Sequence, residues 1–253
     1  MVKSYEKFNK RLGEEYWGKF VKRDIQLYDC IKKILSKYLS GKNNVKGLDI
    51  GAGPGIGAWI LGQLGISGEL YSVEPSDNYK EGEKLAEKLK LSGSKTLYYP
   101  KKGEMSDAIA LFDLKEESLD YILFLRSVHE IMLSYKDYKD FVKDFKIICS
   151  LIKKEGFIVI ADPQYSEFIY SAPHKYAKII QAIRKYKEET LGHSHALGDY
   201  LTLKKLKKIM PEDFILSEKV EIENNKDFEF IKSKGFNLKE SPTEFYVVCY
   251  KRR

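Results

Sequence analysis

A chain of 253 residues with 43% hydrophobic and 13% aromatic content has material for a sizeable core, which excludes an intrinsically disordered class. Its net charge of +7, from 44 Lys plus Arg against 37 Asp plus Glu, permits nucleic-acid binding without requiring it, because scattered lysines usually form a solvated face. No apolar stretch reaches the ~18 to 20 residues that cross a bilayer, and the start Met1-Val2-Lys3-Ser4 lacks a secretory apolar core, so a cytoplasmic protein away from membranes is expected.

From Tyr5 to Tyr38 the apolar positions Phe8, Leu12, Tyr16, Phe20, Ile25, Ile31 and Leu35 fall at helical spacing, which predicts two helices ahead of the sheet. Short apolar strands then alternate with helical stretches. The strands are Lys46–Ile50, Leu70–Glu74, Thr96–Tyr99, Tyr121–Leu125 and Phe157–Ala161; the helices are Ile56–Leu64, Tyr79–Leu91, Met105–Leu111 and Tyr138–Ile152. Such alternation predicts a parallel sheet covered on both faces, and the handedness of crossovers makes it an α/β doubly wound fold. After Ala161 the alternation stops. A helical stretch over Ser166–Leu191, a shorter helix over Leu201–Met210 and strands over Phe214–Ile222 and Glu244–Tyr250 complete one domain, 1–253. Residues 163–200 read as a helical insertion above the strand ends, and residues 1–44 as an N-terminal helical lid. Cys30, Cys149 and Cys249 stand far apart in apolar segments and read as reduced thiols.

The chemistry concentrates in Asp49-Ile50-Gly51-Ala52-Gly53-Pro54-Gly55-Ile56-Gly57, which ends a strand and opens a helix. Alternating glycines allow a tight turn and close backbone approach to a ligand beside the positive end of a helix. Read from Gly53, the segment also fits a dinucleotide pattern, G-x-G-x-x-A. Against that reading, Pro54 removes one amide donor, and the Asp49 carboxylate suits a cationic amino group better than a pyrophosphate.

This loop resembles the first motif of the class I S-adenosylmethionine-dependent methyltransferases. The resemblance covers about half the chain, Val45 to Asp162, through the order and spacing of its motifs. It implies a Rossmann-like, mostly parallel seven-stranded sheet and S-adenosyl-L-methionine as cofactor. Asp49, Gly51, Ala52, Gly53 and Gly55 would form the cofactor loop. Glu74, followed by Pro75 at the end of the second strand, would accept both ribose hydroxyls. Glu104 or Asp107 would meet the adenine amino group and Met105 its ring, although this stretch departs from the family's usual sequence. The segments Leu119–Ile131 and Ile152–Asp162 are similar to the family's fourth and fifth motifs. Arg126 and Tyr165 are further candidates near the strand ends, Arg126 to meet the cofactor carboxylate or an acidic acceptor, or to pair with Glu130 at i+4 on a helix.

Methyl transfer needs alignment above all, and a base only when the acceptor arrives protonated. His129, just after the fourth strand, and His193 and His195, in a glycine-flanked loop, are the candidates for that base or for acceptor contact. A metal shell of His193 and His195 completed by Asp162, His129 or Asp199 lacks a fixed ligand spacing, so no metal is expected. Tyr5, Phe8, Tyr16 and Trp17 could close over the cofactor, or simply pack. The expected activity is methyl transfer to a small-molecule acceptor. The alternatives are an RNA or protein methyltransferase, a non-catalytic cofactor-binding protein, and a nicotinamide-dependent oxidoreductase.

Overall fold

A computed structural model describes residues 25–191 and 200–253. Seven strands form one sheet in the order β3-β2-β1-β4-β5-β7-β6. They are β1 (Val45–Ile50), β2 (Gly68–Glu74), β3 (Thr96–Lys102), β4 (Leu119–Leu125), β5 (Ile152–Tyr165), β6 (Phe214–Glu223) and β7 (Thr243–Arg252). The first five pair in parallel, while β7 runs antiparallel to both β5 and β6. The strand order reverses direction at β1, between β2 and β4, which opens a crevice at the carboxyl ends of these strands.

Period-two alternation divides the core into two layers. Tyr121, Leu123, Phe157, Val159, Val247 and Cys249 face one side, against α1 (Ile25–Leu39), α2 (Ile56–Leu64) and α3 (Tyr79–Leu91). Ile122, Phe124, Ile158, Ile160, Tyr246 and Val248 face the other. There they meet α4 (Ala108–Phe112), α5 (Val128–Ser134), α6 (Tyr138–Ser150) and α9 (Leu203–Ile209). Each wholly buried Ile or Phe in these layers contributes about 1.5 to 3 kcal/mol. Gly47 in β1 is a packing requirement, because a Cβ there would lie 2.1 Å from the ring of the buried Tyr121.

A third apolar cluster joins Tyr165, Ile169, Ile179, Ile180, Ile183, Tyr200 and Ile231. It packs α7 (Glu167–Ser171), α8 (Ala177–Leu191) and α10 (Asn225–Ser233) together near the carboxyl ends of β5 and β6.

The strands expected from sequence are all present, and every one is longer. The sequence places Pro163-Gln164-Tyr165 in the insertion, yet these residues extend β5, opposite Phe245, Glu244 and Thr243 of β7. β4 has ended at Leu125, opposite Ala161, so the β5 edge beyond is open and a proline is tolerated there. The expected helix over Ser166–Leu191 is two helices, because Pro173 cannot donate to a helix ladder and Ala172 adopts φ −143. Helix α10 was not expected from sequence. Residues 1–24, including Tyr5, Phe8, Tyr16 and Trp17, and residues 192–199, including His193, His195 and Asp199, lie outside the described residues. No helix among the described residues is long and apolar enough to cross a membrane.

Candidate active site

A cavity of about 1030 Å³ opens at the carboxyl ends of the strands. It lies at the upper end of the ~300–1,000 Å³ typical of ligand pockets. Ile50, Glu74 and Leu125, the last residues of β1, β2 and β4, line it together with Pro163 of β5 and Phe245 of β7.

The glycine loop forms one wall. Gly51, Gly53 and Gly55 have φ of 66, 54 and 94, a left-handed region that side chains resist. At Gly51 a Cβ would also lie 2.5 Å from Cβ of Ser127, whose hydroxyl donates to the Ile50 carbonyl at 2.6 Å. The loop's own amides are committed inward. Gly51 and Ala52 donate to the Val73 carbonyl at 2.9 and 3.2 Å, and Gly55 donates to that of Ala52 at 2.9 Å. Gly53 donates to Glu74 Oε2 at 2.8 Å, and Pro54 has no amide proton. A phosphate would find few donors here.

Glu74 sits where a strand-end acid meets the loop. Its Oε1 accepts from the Ser76 amide at 3.0 Å and the Ser76 hydroxyl at 2.5 Å. A carboxylate has about four acceptor sites, so three bonds hold its orientation while leaving capacity for a ligand hydroxyl. Ala52, Gly53, Pro75, Glu104 and Met105 line the same cavity. Met105 is buried; Glu104 is exposed, and its amide donates to Asp107 Oδ2 at 2.9 Å. Asp107 thus caps the turn and does not line the cavity.

Asp49 does not line the cavity either. It lies wholly buried beneath the loop, where a Cβ on Gly57 would approach Oδ2 to 2.3 Å. Neither oxygen has a hydrogen-bond partner of ordinary geometry. Burial first, then the Glu74 carboxylate, push the Asp49 carboxyl up to about 8, with the Gly57 amide pulling the other way. Its place is under the first turn of α2, supporting the loop from below.

Beside the loop, α5 starts just after β4, and its His129 lines the cavity. The buried imidazole places Nδ1 2.8 Å from Oδ1 of Asp162, and the His129 amide donates to Oδ2 at 3.1 Å. Burial raises the Asp162 carboxyl above its usual range, and His129 opposes that shift. With Nδ1–H held by the carboxylate, Nε2 is the basic nitrogen. Arg126, the residue after β4, also lines the cavity; its φ is 63, and its guanidinium stands 5.5 Å from the Phe245 ring.

Sequence reasoning missed the far end. Lys187 of α8, Tyr200, and Asn224, Lys226 and Asp227 around the start of α10 all line the cavity. Only spatial proximity unites them, since they come from three separate segments. Among the described residues no three of His, Cys, Asp and Glu gather as a metal site.

No protein-family model matches the chain, and neither does any curated protein sequence. Solved structures do match. One is a S-adenosylmethionine-dependent methyltransferase from Aquifex aeolicus, with TM-score 0.51 and 14% identity, covering 97% of each chain. Another is a putative sarcosine dimethylglycine methyltransferase from Galdieria sulphuraria, with TM-score 0.56 and 15% identity over 90% of this chain and 85% of that one. The fold is that of the class I methyltransferases. A third match is a geranyl diphosphate C-methyltransferase from Streptomyces coelicolor, solved with Mg2+, geranyl diphosphate and S-adenosylhomocysteine. Its TM-score is 0.55 and its identity 14%, over 89% of this chain and 77% of that one. Within this fold, the loop after β1 and the acid ending β2 face one crevice, together with the residues that follow β4.

Proposed function

We infer that the protein is an S-adenosylmethionine-dependent methyltransferase acting on a small-molecule acceptor. The observation that carries the reading is the joining of Gly53 to Glu74 at 2.8 Å on the wall of a cavity that His129, held from behind by the buried Asp162, also lines.

The residues fit this cofactor better than a dinucleotide. The loop spends its amides on Val73, Ala52 and Glu74, and so offers no cradle for a pyrophosphate. The open space beside Gly53, where a Cβ would meet nothing within 4 Å, suits close approach of a nucleoside. Glu74 would receive the ribose hydroxyls, Met105 would pack on the adenine and Glu104 would accept from its amino group. Arg126 would hold the carboxylate at the other end. When bound, the cofactor supplies an electrophilic methyl group on a sulfonium centre. The chain's own work is to hold the acceptor in line, exclude water and manage one proton. His129 Nε2 takes the proton that a hydroxyl or ammonium acceptor must lose, and Asp162 stabilises the imidazolium so formed. The small-molecule reading is also supported by the printed substrates of two fold neighbours, sarcosine and geranyl diphosphate.

Calorimetry with S-adenosylmethionine, S-adenosylhomocysteine and NAD tests the cofactor. Both sulfur ligands should bind, and tight NAD binding without response to S-adenosylhomocysteine would overturn the reading. A cell-extract fraction incubated with methyl-labelled cofactor should then yield a labelled product of low molecular mass. Label confined to RNA or protein would refute the small-molecule assignment.

A further inference from the structure

Lys187 is a buried cation in a cavity wall, only 8% exposed. Burying an ammonium is costly unless its donors are met. Its three N–H groups find one full hydrogen bond, to the Tyr200 hydroxyl at 2.7 Å. Asp227 Oδ2, 3.6 Å away, forms an ion pair with the ammonium but lies beyond hydrogen-bond length, and it already accepts from the Thr243 hydroxyl at 2.6 Å. The Lys187 ammonium therefore keeps donor capacity on a wall that faces a ligand.

Around it the cavity is flat-walled. Tyr186, Tyr200 and Phe245 line it, and Tyr186 is fixed by stacking on Phe230 with centroids 4.3 Å apart. Tyr200 also lies 5.5 Å from the His129 ring, which ties the ammonium to the residue that receives the proton. A cation with spare donors, aromatic walls and a nearby base select a ligand with an acidic end, a planar body and an ionisable acceptor group.

We propose that the methyl acceptor is a small aromatic carboxylic acid, whose carboxylate is held by Lys187 and whose ring lies between the aromatic walls. The proposal rests on the methyl-transfer reading for its meaning, but anion binding at Lys187 is measurable without it.

The test is calorimetry of benzoate, phenylacetate and benzamide, each titrated into the protein alone and into the protein saturated with S-adenosylhomocysteine. Wild type should bind at least one of the two acids, with the amide weaker by about tenfold or more, since the charge-assisted bond is lost. Lys187→Met should weaken the acid by a similar factor and leave S-adenosylhomocysteine affinity within about twofold. Because that variant strands Asp227, the double variant Lys187→Met with Asp227→Asn repeats the measurement with both charges removed. Neither acid binding at ~10 mM, or acid binding unchanged in both variants, would overturn the proposal. Loss of S-adenosylhomocysteine affinity with acid binding intact would also overturn it, by assigning Lys187 to the cofactor. Failure of S-adenosylhomocysteine to bind wild type would instead defeat the methyl-transfer reading, and the acid titrations into protein alone would still decide the anion site.

Discussion

Asp162 grips His129 twice, through Oδ1 to the ring Nδ1 at 2.8 Å and through Oδ2 to the backbone amide at 3.1 Å. The double hold fixes both the tautomer and the position of the imidazole against the cavity. If His129 accepts the acceptor's proton, His129→Ala lowers kcat by about 10² to 10⁴. Asp162→Asn should cost about 10²-fold or more, because the amide can favour the wrong tautomer. Binding of S-adenosylhomocysteine should hold within about twofold in both variants, measured by calorimetry. Full turnover in His129→Ala would reduce the pair to a structural contact.

The strand-end acid makes a second prediction. Glu74→Ala removes the acceptor of the Gly53 amide as well as the proposed ribose contact. S-adenosylhomocysteine affinity should fall by at least about tenfold, because hydrogen bonds to a charged group contribute ~1.5 to 3 kcal/mol each. Glu74→Gln keeps one carbonyl acceptor and should fall between the two. Equal affinities in all three proteins would remove Glu74 from the site.

Asp49 predicts an unusual dependence of stability on pH. Its carboxyl is pushed up to about 8 in the fold, against 3.8 for the free group. The folded state therefore holds a proton that the unfolded state releases. The resulting stability is fully present below pH ~3.8 and is lost as pH rises towards ~8, at up to about 1.4 kcal/mol per unit. Asp49→Asn, which never ionises, should flatten that part of the curve and be more stable than wild type at pH ~8. Denaturant melts at several pH values measure it; parallel curves for the two proteins would show that Asp49 is not the source.

Much of this was legible in the sequence because strand and helix periods reveal the alternating core directly. Helices α2 and α3 were readable to the residue, since each is bounded by glycine or turn residues and carries an unbroken apolar face. The glycine loop and the acid were legible as neighbours for the same reason, since Gly51–Gly55 follow β1 and Glu74 ends β2. The far end of the cavity was not legible. Lys187, Tyr200 and Asp227 lie on separate segments with no shared motif, and Lys187 reads in sequence as one more solvated lysine of an amphipathic helix. In sequence Asp162 suggests only a metal ligand, because its neighbour His129, 33 residues away, is brought to it by the β4–β5 pairing. Sequence spacing does not show which side of a strand end meets the loop, so it suggests that Asp49 faces the ligand. Its carboxylate lies beneath Gly57.

Arg126 separates function from stability. Its φ of 63 places a long side chain in a region that costs a non-glycine residue about 1 to 2 kcal/mol, at the point where β4 leaves the sheet. Its amide is held there by the Ala161 carbonyl at 2.6 Å, so the conformation is imposed by the neighbouring strand. Arg126→Gly and Arg126→Ala both delete the guanidinium and its contact with Phe245. Only the glycine relieves the backbone, so Arg126→Gly should be more stable than Arg126→Ala by about 1 kcal/mol in denaturant melts. Both variants should lose S-adenosylhomocysteine affinity alike, by about tenfold, if the guanidinium holds the cofactor carboxylate. Equal stability of the pair would show that the backbone relaxes without its side chain. Undiminished affinity would leave the cofactor's carboxylate to another cation on the cavity wall.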